Sequence, residues 1–383
     1  MQTVCMALCQ RLPQLGHQVA TLRPNQQGFP SDYASGTEVF ALDRSDRAHT
    51  ETSISAALDI FRPDVTHVVS ARLLLANRIN ALVRNVPWLL TIHSPVPWES
   101  AVPCFYGRNR LYYGARNARY AVNVLAHALV LRRWHFSRAL CFSDHVARRL
   151  VALGCDSARL AVVPLGMPET SDVAPDNSDS VHVFPDGAYP RILTVAGISH
   201  HKGLHDAVRA IAGLLPSHPT LHYVVLGRVR DHGYASHPES LVRRLRLTRH
   251  VSFVSSAGDA LKNAAFKQAD LYLQPSHEEG FCLAFLEAAA ASDRLVGTNT
   301  GEMPAMAPND PLIRIVRRMN PDALQEGMLT VLRVAVSNEL LAGRRARLKK
   351  EYSWSHFCTR VTSLYEEVLS DVRTPSAISG SKP

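Results

Sequence analysis

The first 201 residues contain no lysine; the first one is Lys202. Basic charge in that half therefore rests on arginine. No apolar run reaches the roughly 18–20 residues that a membrane span needs, which excludes a bilayer-crossing helix. The opening MQTVCMALCQRLPQLGHQ lacks a charged start, an apolar stretch and a small-residue cleavage site, so no signal peptide is expected. The seven cysteines (5, 9, 104, 141, 155, 282 and 358) show no paired C-x-x-C spacing. That argues against a disulfide framework and against a structural zinc site, and favours a reducing cytoplasm. Internal repeats and long low-complexity tracts are also missing. What remains is a chain of 383 residues, 46% hydrophobic and 20% charged, enough for a sizeable core and two or three domains.

The formal net charge is +9. Much of it lies between Arg108 and Arg149, where nine arginines (108, 110, 116, 119, 132, 133, 138, 148 and 149) meet one acid, Asp144, for a local +8. Tyr106, Tyr112, Tyr113, Tyr120 and Trp134 fall in or beside this segment. Such a field attracts phosphates, acidic lipid surfaces or nucleic acid; a solvated helical face fits equally well. Nucleic acid is the poorest fit, because no stacking motif or known binding module accompanies the charge.

Short β-branched runs alternate with helical stretches in both halves. VTHVV (65–69), WLLTIH (88–93), ALCFS (139–143) and LAVVP (160–164) read as strands in the first. RILTVAG (191–197), LHYVVLG (221–227), VSFV (251–254), LYLQ (271–274), RLVG (294–297) and LIRIV (312–316) follow in the second. Helical spacing is clear over 203–215, at Leu204, Ala207, Val208, Ile211 and Leu215. Apolar strands alternating with helices imply parallel sheets covered on both faces, hence two Rossmann-like domains. Ligands then bind beyond the carboxyl ends of the strands. The expected division is 1–170 for the first domain, 171–189 for a linker rich in Asp, Ser and Pro, and 190–350 for the second. A closing helix over 351–370 and a disordered tail over 371–383 follow.

Three segments carry candidate chemistry. In PSHEEGFCLAFLEAAAA (275–291) a strand ends and a helix is expected from about Phe281. Glu279 precedes that helix and Glu287 lies two turns further on. The amides of Gly280, Phe281 and Cys282 would fall in its first turn, where they can meet phosphate or sugar oxygens. The two carboxylates can grip sugar hydroxyls, or be an N-terminal helix acid and a solvated helix residue. In TVAGISHHKGLHDAV (194–208), Lys202 stands at a strand–helix junction, where it can meet a phosphate or be a lone surface lysine. His200 and His201 are adjacent, a poor spacing for a metal, and read as loop residues. In VGTNTGEMPAMA (296–307), Gly301 permits close approach of a ligand to the backbone; an ordinary loop is the alternative.

In this order and spacing the segments resemble the donor half of a retaining glycosyltransferase of family 4, with the GT-B fold of two Rossmann-like domains facing each other across a cleft. Glu279…Glu287 is similar to the family's E-x7-E element. Lys202-Gly203 resembles its K-G element, and Gly301-Glu302-Met303-Pro304 its G-G-x-P loop. In the first half LLTIHSP (89–95), CFSDHVARRLVALG (141–154) and VVPLG (162–166) are similar to T-x-H-G, V-S-E-x5-L-x3-G and V-I-P-N-G. The resemblance implies that Glu287 holds ribose hydroxyls, that Glu279 with the Gly280–Cys282 amides holds the donor sugar, that Lys202 meets the diphosphate, and that His93 sits at the sugar. A satisfied buried histidine is the other reading of His93. It also implies same-face attack with the leaving phosphate as base, so no protein nucleophile is needed. No D-x-D pair stands beside a strand end, so neither a metal nor another cofactor is implied. The donor would be a nucleotide diphosphate sugar. The acceptor is unidentified; an anionic or membrane-associated molecule would suit the arginines, at the inner face of the membrane.

Two departures stand out. The family's G-R-x4-K-G pattern puts an arginine where this chain has Gly197, and Arg228 is the expected partial substitute. The chain also opens on a helix, with Val4, Leu8, Leu12 and Leu15 in a stripe, followed by the strand in GHQVATLRP. The first strand and loop of the first domain are missing, so Met1 reads as an internal methionine. The strands near 19–23 and 89–93 would then lack a shared partner. A catalytically impaired sugar-nucleotide-binding protein and a GT-B epimerase are the rival readings.

Overall fold

A computed structural model describes residues 2–24, 37–42, 45, 47–69, 86–93, separate positions between 118 and 132, 136–167, 182–255, 258–306 and 308–373. In chain order the elements up to the middle are α1 (Gln2–Arg11), β1 (Val19–Pro24), β2 (Thr37–Leu42), α2 (Arg47–Phe61), β3 (Thr66–Val69), β4 (Trp88–Ile92), β5 (Arg138–Cys141), α3 (Asp144–Ala152) and β6 (Leu160–Val162). Then come β7 (Arg191–Val195), α4 (Leu204–Leu214), β8 (His222–Leu226), α5 (His232–Arg244), β9 (Val251–Val254), α6 (Asp259–Gln268), β10 (Leu271–Gln274) and α7 (Leu283–Ala291). The chain closes with β11 (Leu295–Thr298), α8 (Met303–Met306), β12 (Ile313–Val316), α9 (Pro321–Leu332), α10 (Asn338–Glu351) and α11 (Trp354–Arg373). They form two compact units, the second of which holds Met167–Ser353.

In the second unit six parallel strands lie in the order β12-β11-β10-β7-β8-β9. Counted from the first strand of this unit, that is 6-5-4-1-2-3, the doubly wound order, which reverses between β7 and β10. The strand β8 shows why the sequence does this. All five residues of HYVVL are buried, as expected of a strand covered on both faces. Its cover includes α4, where Leu204, Ala207, Val208, Ile211 and Leu214 are completely buried. Each large apolar side chain so buried stabilises by about 1.5–3 kcal/mol. Leu215, expected on this face, falls just beyond the helix and is only partly buried.

The strands on either side of the reversal stay together only briefly. β7 pairs with β8 at five positions but with β10 at two, Leu271 with Ile192 and Tyr272 with Leu193. Their amino ends are tied by a fork in which Arg191 Nε and Nη2 donate to Asp270 at 3.0 Å each. Towards the carboxyl ends the ladder gives way to two side-chain bonds, from Thr194 Oγ1 to the Leu273 carbonyl and from Tyr272 OH to the Val195 carbonyl at 3.4 Å. In a doubly wound sheet this is the end beyond which ligands bind.

In the first unit β3-β4-β5-β6 form one parallel sheet and β1-β2 another. Among the described residues the two share no strand. The free edge differs from expectation. The strand β4 is interior, paired on both sides, and β3 has no second partner among the described residues. The strand β2, TEVFAL, was not expected at all; no residue in it is fully buried, so no apolar run announces it. The opening stripe also ends early. Val4, Leu8 and Leu12 are buried, but Pro13 starts a separate 3₁₀ turn and Leu15 is 50% exposed. Proline has no N–H to continue the helix. The closing helix α11 packs on α1, with Cys358 Sγ donating to the Ala7 carbonyl at 3.7 Å.

Of the expected linker, 171–181 lie outside the described residues, while Val183 N donates to Gln268 Oε1 at 3.1 Å. The helix α11 reaches Arg373, so of the expected tail only 374–383 lie outside the described residues. Outside them too are Arg108, Arg110, Arg116, Arg119, Arg133 and the aromatic residues interleaved with them.

Candidate functional site

Three turns meet beyond the carboxyl ends of β7 and β10. The first follows β7 and coils His200–Lys202 into a 3₁₀ turn that ends on Gly203 at φ +65°. A Cβ on Gly203 would lie 2.1 Å from the Pro275 carbonyl oxygen, so only glycine lets the first two turns meet. The second turn follows β10 and leads into α7. The backbone N–H groups of His277 and Glu278 donate to the His201 carbonyl at 2.7 and 3.3 Å, lacing the two turns together. The third follows β11. Gly301, at φ +61°, brings its Cα against Glu279, where a Cβ would approach Glu279 Cβ to 2.8 Å.

Lys202 and Glu279 meet at the centre. The ammonium donates to both carboxylate oxygens, at 2.7 and 2.8 Å. Ser276 Oγ adds a bond of 2.6 Å and Gln274 Nε2 one of 3.3 Å to the same carboxylate. Glu279 N donates to Thr300 Oγ1 at 3.2 Å. Burial alone would raise the Glu279 pKa, but the Lys202 charge and these bonds outweigh it and hold the carboxyl below its usual range. Glu279 is therefore a carboxylate, an acceptor with oriented oxygens.

The other expected residues take distinct places. The helix α7 starts at Leu283, two residues later than expected, because Cys282 adopts a left-handed conformation at φ +83° and becomes its N-cap. Gly280, Phe281 and Cys282 thus form the turn before the helix rather than its first turn; the Phe285 and Leu286 amides bond the Cys282 carbonyl. Burial and the Glu279 charge raise the Cys282 thiol pKa well above normal. Glu302 N donates to the Phe281 carbonyl at 3.0 Å, and Tyr352 OH to Glu302 Oε1 at 3.4 Å. Glu287 is half-buried and pairs with Lys262 at 3.1 Å.

Arg228 is exposed, and it is Arg230 whose side chain covers Gly197: a Cβ there would meet Arg230 Cγ at 2.8 Å. The sequence hid this, because Arg230 is separated from Gly197 by the helix α4 and the strand β8. Also missed were Ser276 and Thr300, whose role depends on where Glu279 points, and Arg318. The Arg318 guanidinium donates to the His277 carbonyl at 2.7 Å and to Glu278.

His93 belongs to the first unit, at the carboxyl end of β4. Its ring meets Phe142 edge-on at 5.0 Å, and its Nε2 has no hydrogen-bond partner among the described residues. Burial lowers its pKa to about 3, so the imidazole is neutral. Neighbouring His67 differs: its nitrogens meet Tyr365 OH at 2.7 Å and Thr91 Oγ1 at 2.6 Å.

Two Rossmann-like units, the second with a charged pair at its topological switch point, define a GT-B glycosyltransferase architecture. The model for glycosyltransferase family 4 matches residues 1–170, and that for glycosyl transferases group 1 matches residues 179–349. The chain belongs to glycosyltransferase family 4. It is 27% identical over 252 residues to a phosphatidyl-myo-inositol mannosyltransferase of Mycobacterium leprae, covering 63% of this chain and 62% of the relative. A glycogen synthase of Mycobacterium tuberculosis is 28% identical over 185 residues, 48% of this chain and 44% of the relative. The chain thus spans between about four- and six-tenths of the length of these curated relatives. Among solved structures, sucrose-phosphate synthase of Thermosynechococcus elongatus has a TM-score of 0.73 at 16% identity, covering 95% of this chain and 92% of the other. The Anabaena protein HepE, solved with UDP-glucose, has a TM-score of 0.67 at 12% identity over 96% and 95%. No helix among the described residues is long and apolar enough to cross a membrane.

Proposed function

We propose that this protein transfers a hexose from a nucleoside diphosphate sugar to an acceptor with retention of anomeric configuration. The observation that carries the reading is the Lys202–Glu279 pair at the switch point. Breaking the sugar–phosphate bond leaves a diphosphate with growing negative charge. When the donor enters, the ammonium turns from the carboxylate to the diphosphate, and Glu279 is released to accept from sugar hydroxyls. Each charge exchanges one partner for another, so neither is left bare. Stabilising the leaving group is then the main catalytic task. Attack from the face the diphosphate leaves, with that phosphate as base, requires no protein nucleophile. His93, neutral and with an Nε2 that has no partner among the described residues, serves the transferred sugar in this reading.

The test is an incubation with nucleotide sugars carrying glucose, mannose and N-acetylglucosamine, the sugars in the names of its relatives. Released nucleoside diphosphate is measured and the product anomer assigned by NMR. Binding without turnover or hydrolysis would leave a sugar-nucleotide-binding protein instead, and an inverted anomer would end the retaining mechanism.

Glu287→Ala is expected to weaken nucleotide binding about tenfold by removing an acceptor for ribose hydroxyls, with little change in turnover at saturation. A thermal-shift titration with UDP and GDP reads this. Arg230→Ala is expected to weaken binding of the diphosphate but not of the nucleoside, because Arg230 covers the position where the family pattern has its arginine. Equal loss for nucleoside and diphosphate would remove that role.

The acceptor in this reading is anionic or lies on an anionic membrane. Val122 and Leu125, within the arginine-rich segment, leave large side chains more than 60% exposed. Cosedimentation with anionic vesicles at low salt, lost at high salt and with neutral vesicles, is expected; each basic residue contributes about 1 kcal/mol near such a surface.

A further inference from the structure

Beneath the Lys202 turn lies a second cluster that sugar transfer does not use. His205 and Asp206 open α4, and His277 comes from the turn after β10. All three are buried, at 0%, 5% and 1% exposure. One ligand atom of each lies within 4.8 Å of the others. His277 Nε2 is 2.7 Å from Asp206 Oδ2, and His205 Nε2 is 3.6 Å from Asp206 Oδ1. Ligands on a tetrahedral zinc ion, with bonds of about 2.0–2.1 Å, stand roughly 3.3 Å apart. The first separation is a hydrogen-bond distance that would widen on binding, and the second is to the other oxygen of the same carboxylate, so both imidazoles face Asp206.

The surroundings suit a metal site. Tyr234 OH lies 2.7 Å from His205 Nδ1, and Arg209 Nη1 donates to Asp206 Oδ1 at 3.0 Å. The second nitrogen of His205 and the second oxygen of Asp206 thus each have a partner behind the ligating atom, the outer support that orients metal ligands. His277 lacks such support, because its fully buried Nδ1 has no hydrogen-bond partner among the described residues. The His200 ring stands 5.7 Å from that of His205 and 6.0 Å from that of His277, centre to centre.

We propose that His205 Nε2, Asp206 Oδ2 and His277 Nε2 bind one divalent transition-metal ion of the zinc type, with water or His200 in the fourth position. Binding takes each imidazole proton from Nε2 to Nδ1, so no charge changes on the rings; at His205 that proton then donates to Tyr234 OH. Asp206 keeps Arg209 on its other oxygen. The ion would pin the turn bearing Lys202 to the turn bearing Glu279, and would take no part in bond breaking.

The test uses the full chain, stripped with a chelator and titrated with Co²⁺ and Zn²⁺ in the absence of any nucleotide sugar. One ion per chain, visible Co²⁺ bands of tetrahedral intensity, and a higher Tm with Zn²⁺ are expected. Asp206→Asn and His277→Gln, which keep the approximate size of the side chains, remove ligands and should each weaken binding by at least the roughly 10–100-fold that loss of an outer-shell partner costs. His232→Gln, at an exposed position, should not. Folded wild-type protein, verified by circular dichroism, that takes up neither ion overturns the proposal. So does undiminished affinity in both variants, which would put the ion elsewhere. Because the readout is metal uptake, failure here leaves sugar transfer untouched, and absence of transfer leaves the metal site standing.

Discussion

Lys202→Met is expected to lower turnover by about 10²–10³, the usual cost of losing one group that stabilises developing charge. It should also cost stability. Lys202 and Glu279 are both largely out of water, with side chains 21% and 7% exposed. Removing one member of such a pair leaves the other buried and uncompensated, at about 3–5 kcal/mol. In a domain of this size that is on the order of 10 °C in Tm. The pH dependence separates this from a general packing defect. In the wild type the Glu279 pKa is depressed, so its stabilisation is present above the unfolded pKa and fades as pH falls through the folded one. In the variant burial acts alone and raises the pKa. The cost then grows as pH rises and shrinks on acidification, where the carboxyl is protonated. The Tm gap between the two proteins should therefore be wide near pH 7 and narrow near pH 4. A gap independent of pH would show that Glu279 does not depend on Lys202 for its charge.

Gly203→Ala is expected to be nearly as damaging, without removing a charge. A left-handed conformation costs a residue with a Cβ about 1–2 kcal/mol. The new atom would also lie 2.1 Å from the Pro275 carbonyl and 2.8 Å from the His277 ring. Backbone cannot rotate away as a side chain can, so the two turns must separate, adding about 1–3 kcal/mol. That shift would move Lys202 from Glu279, and misplacement by about 1 Å costs on the order of 10² in rate. Gly343→Ala is the control. It lies within α10, and its Cβ would meet nothing within 4 Å. It should stabilise by roughly 0.8–1 kcal/mol through helix propensity. Gly203→Ala with an unchanged Tm and unchanged kinetics would mean the turns tolerate separation.

Much of the site was legible because its parts are local. Lys202 and Gly203 are adjacent, and Glu279 to Cys282 are continuous, so a strand followed by a turn reports them without knowledge of the fold. The start of α7 was misread by two residues because the left-handed Cys282 carries no sequence mark; a glycine there would have shown it. Arg230 was missed for Arg228 because both follow the same strand, and which one covers Gly197 depends on the path of the turn. Zinc was set aside on spacing alone, since His200 and His201 are adjacent and no C-x-x-C occurs. The cluster now proposed joins residues 71 positions apart, and spacing rules see only ligands carried by one turn or helix.

Apolar strands alternating with helices determined the parallel sheets, and Lys202 and Glu279 at strand ends determined which edge carries the chemistry. These follow from periodicities of two and 3.6 residues, which any short window contains. The sheet order was decided only in three dimensions. Placing β10 beside β7 puts Glu279 against Lys202 and turns two separate surface charges into a buried, mutually dependent pair. The same packing brings His277 onto Asp206. Whether a side chain is solvated or compensated depends on what the rest of the chain lays over it, and no local pattern records that.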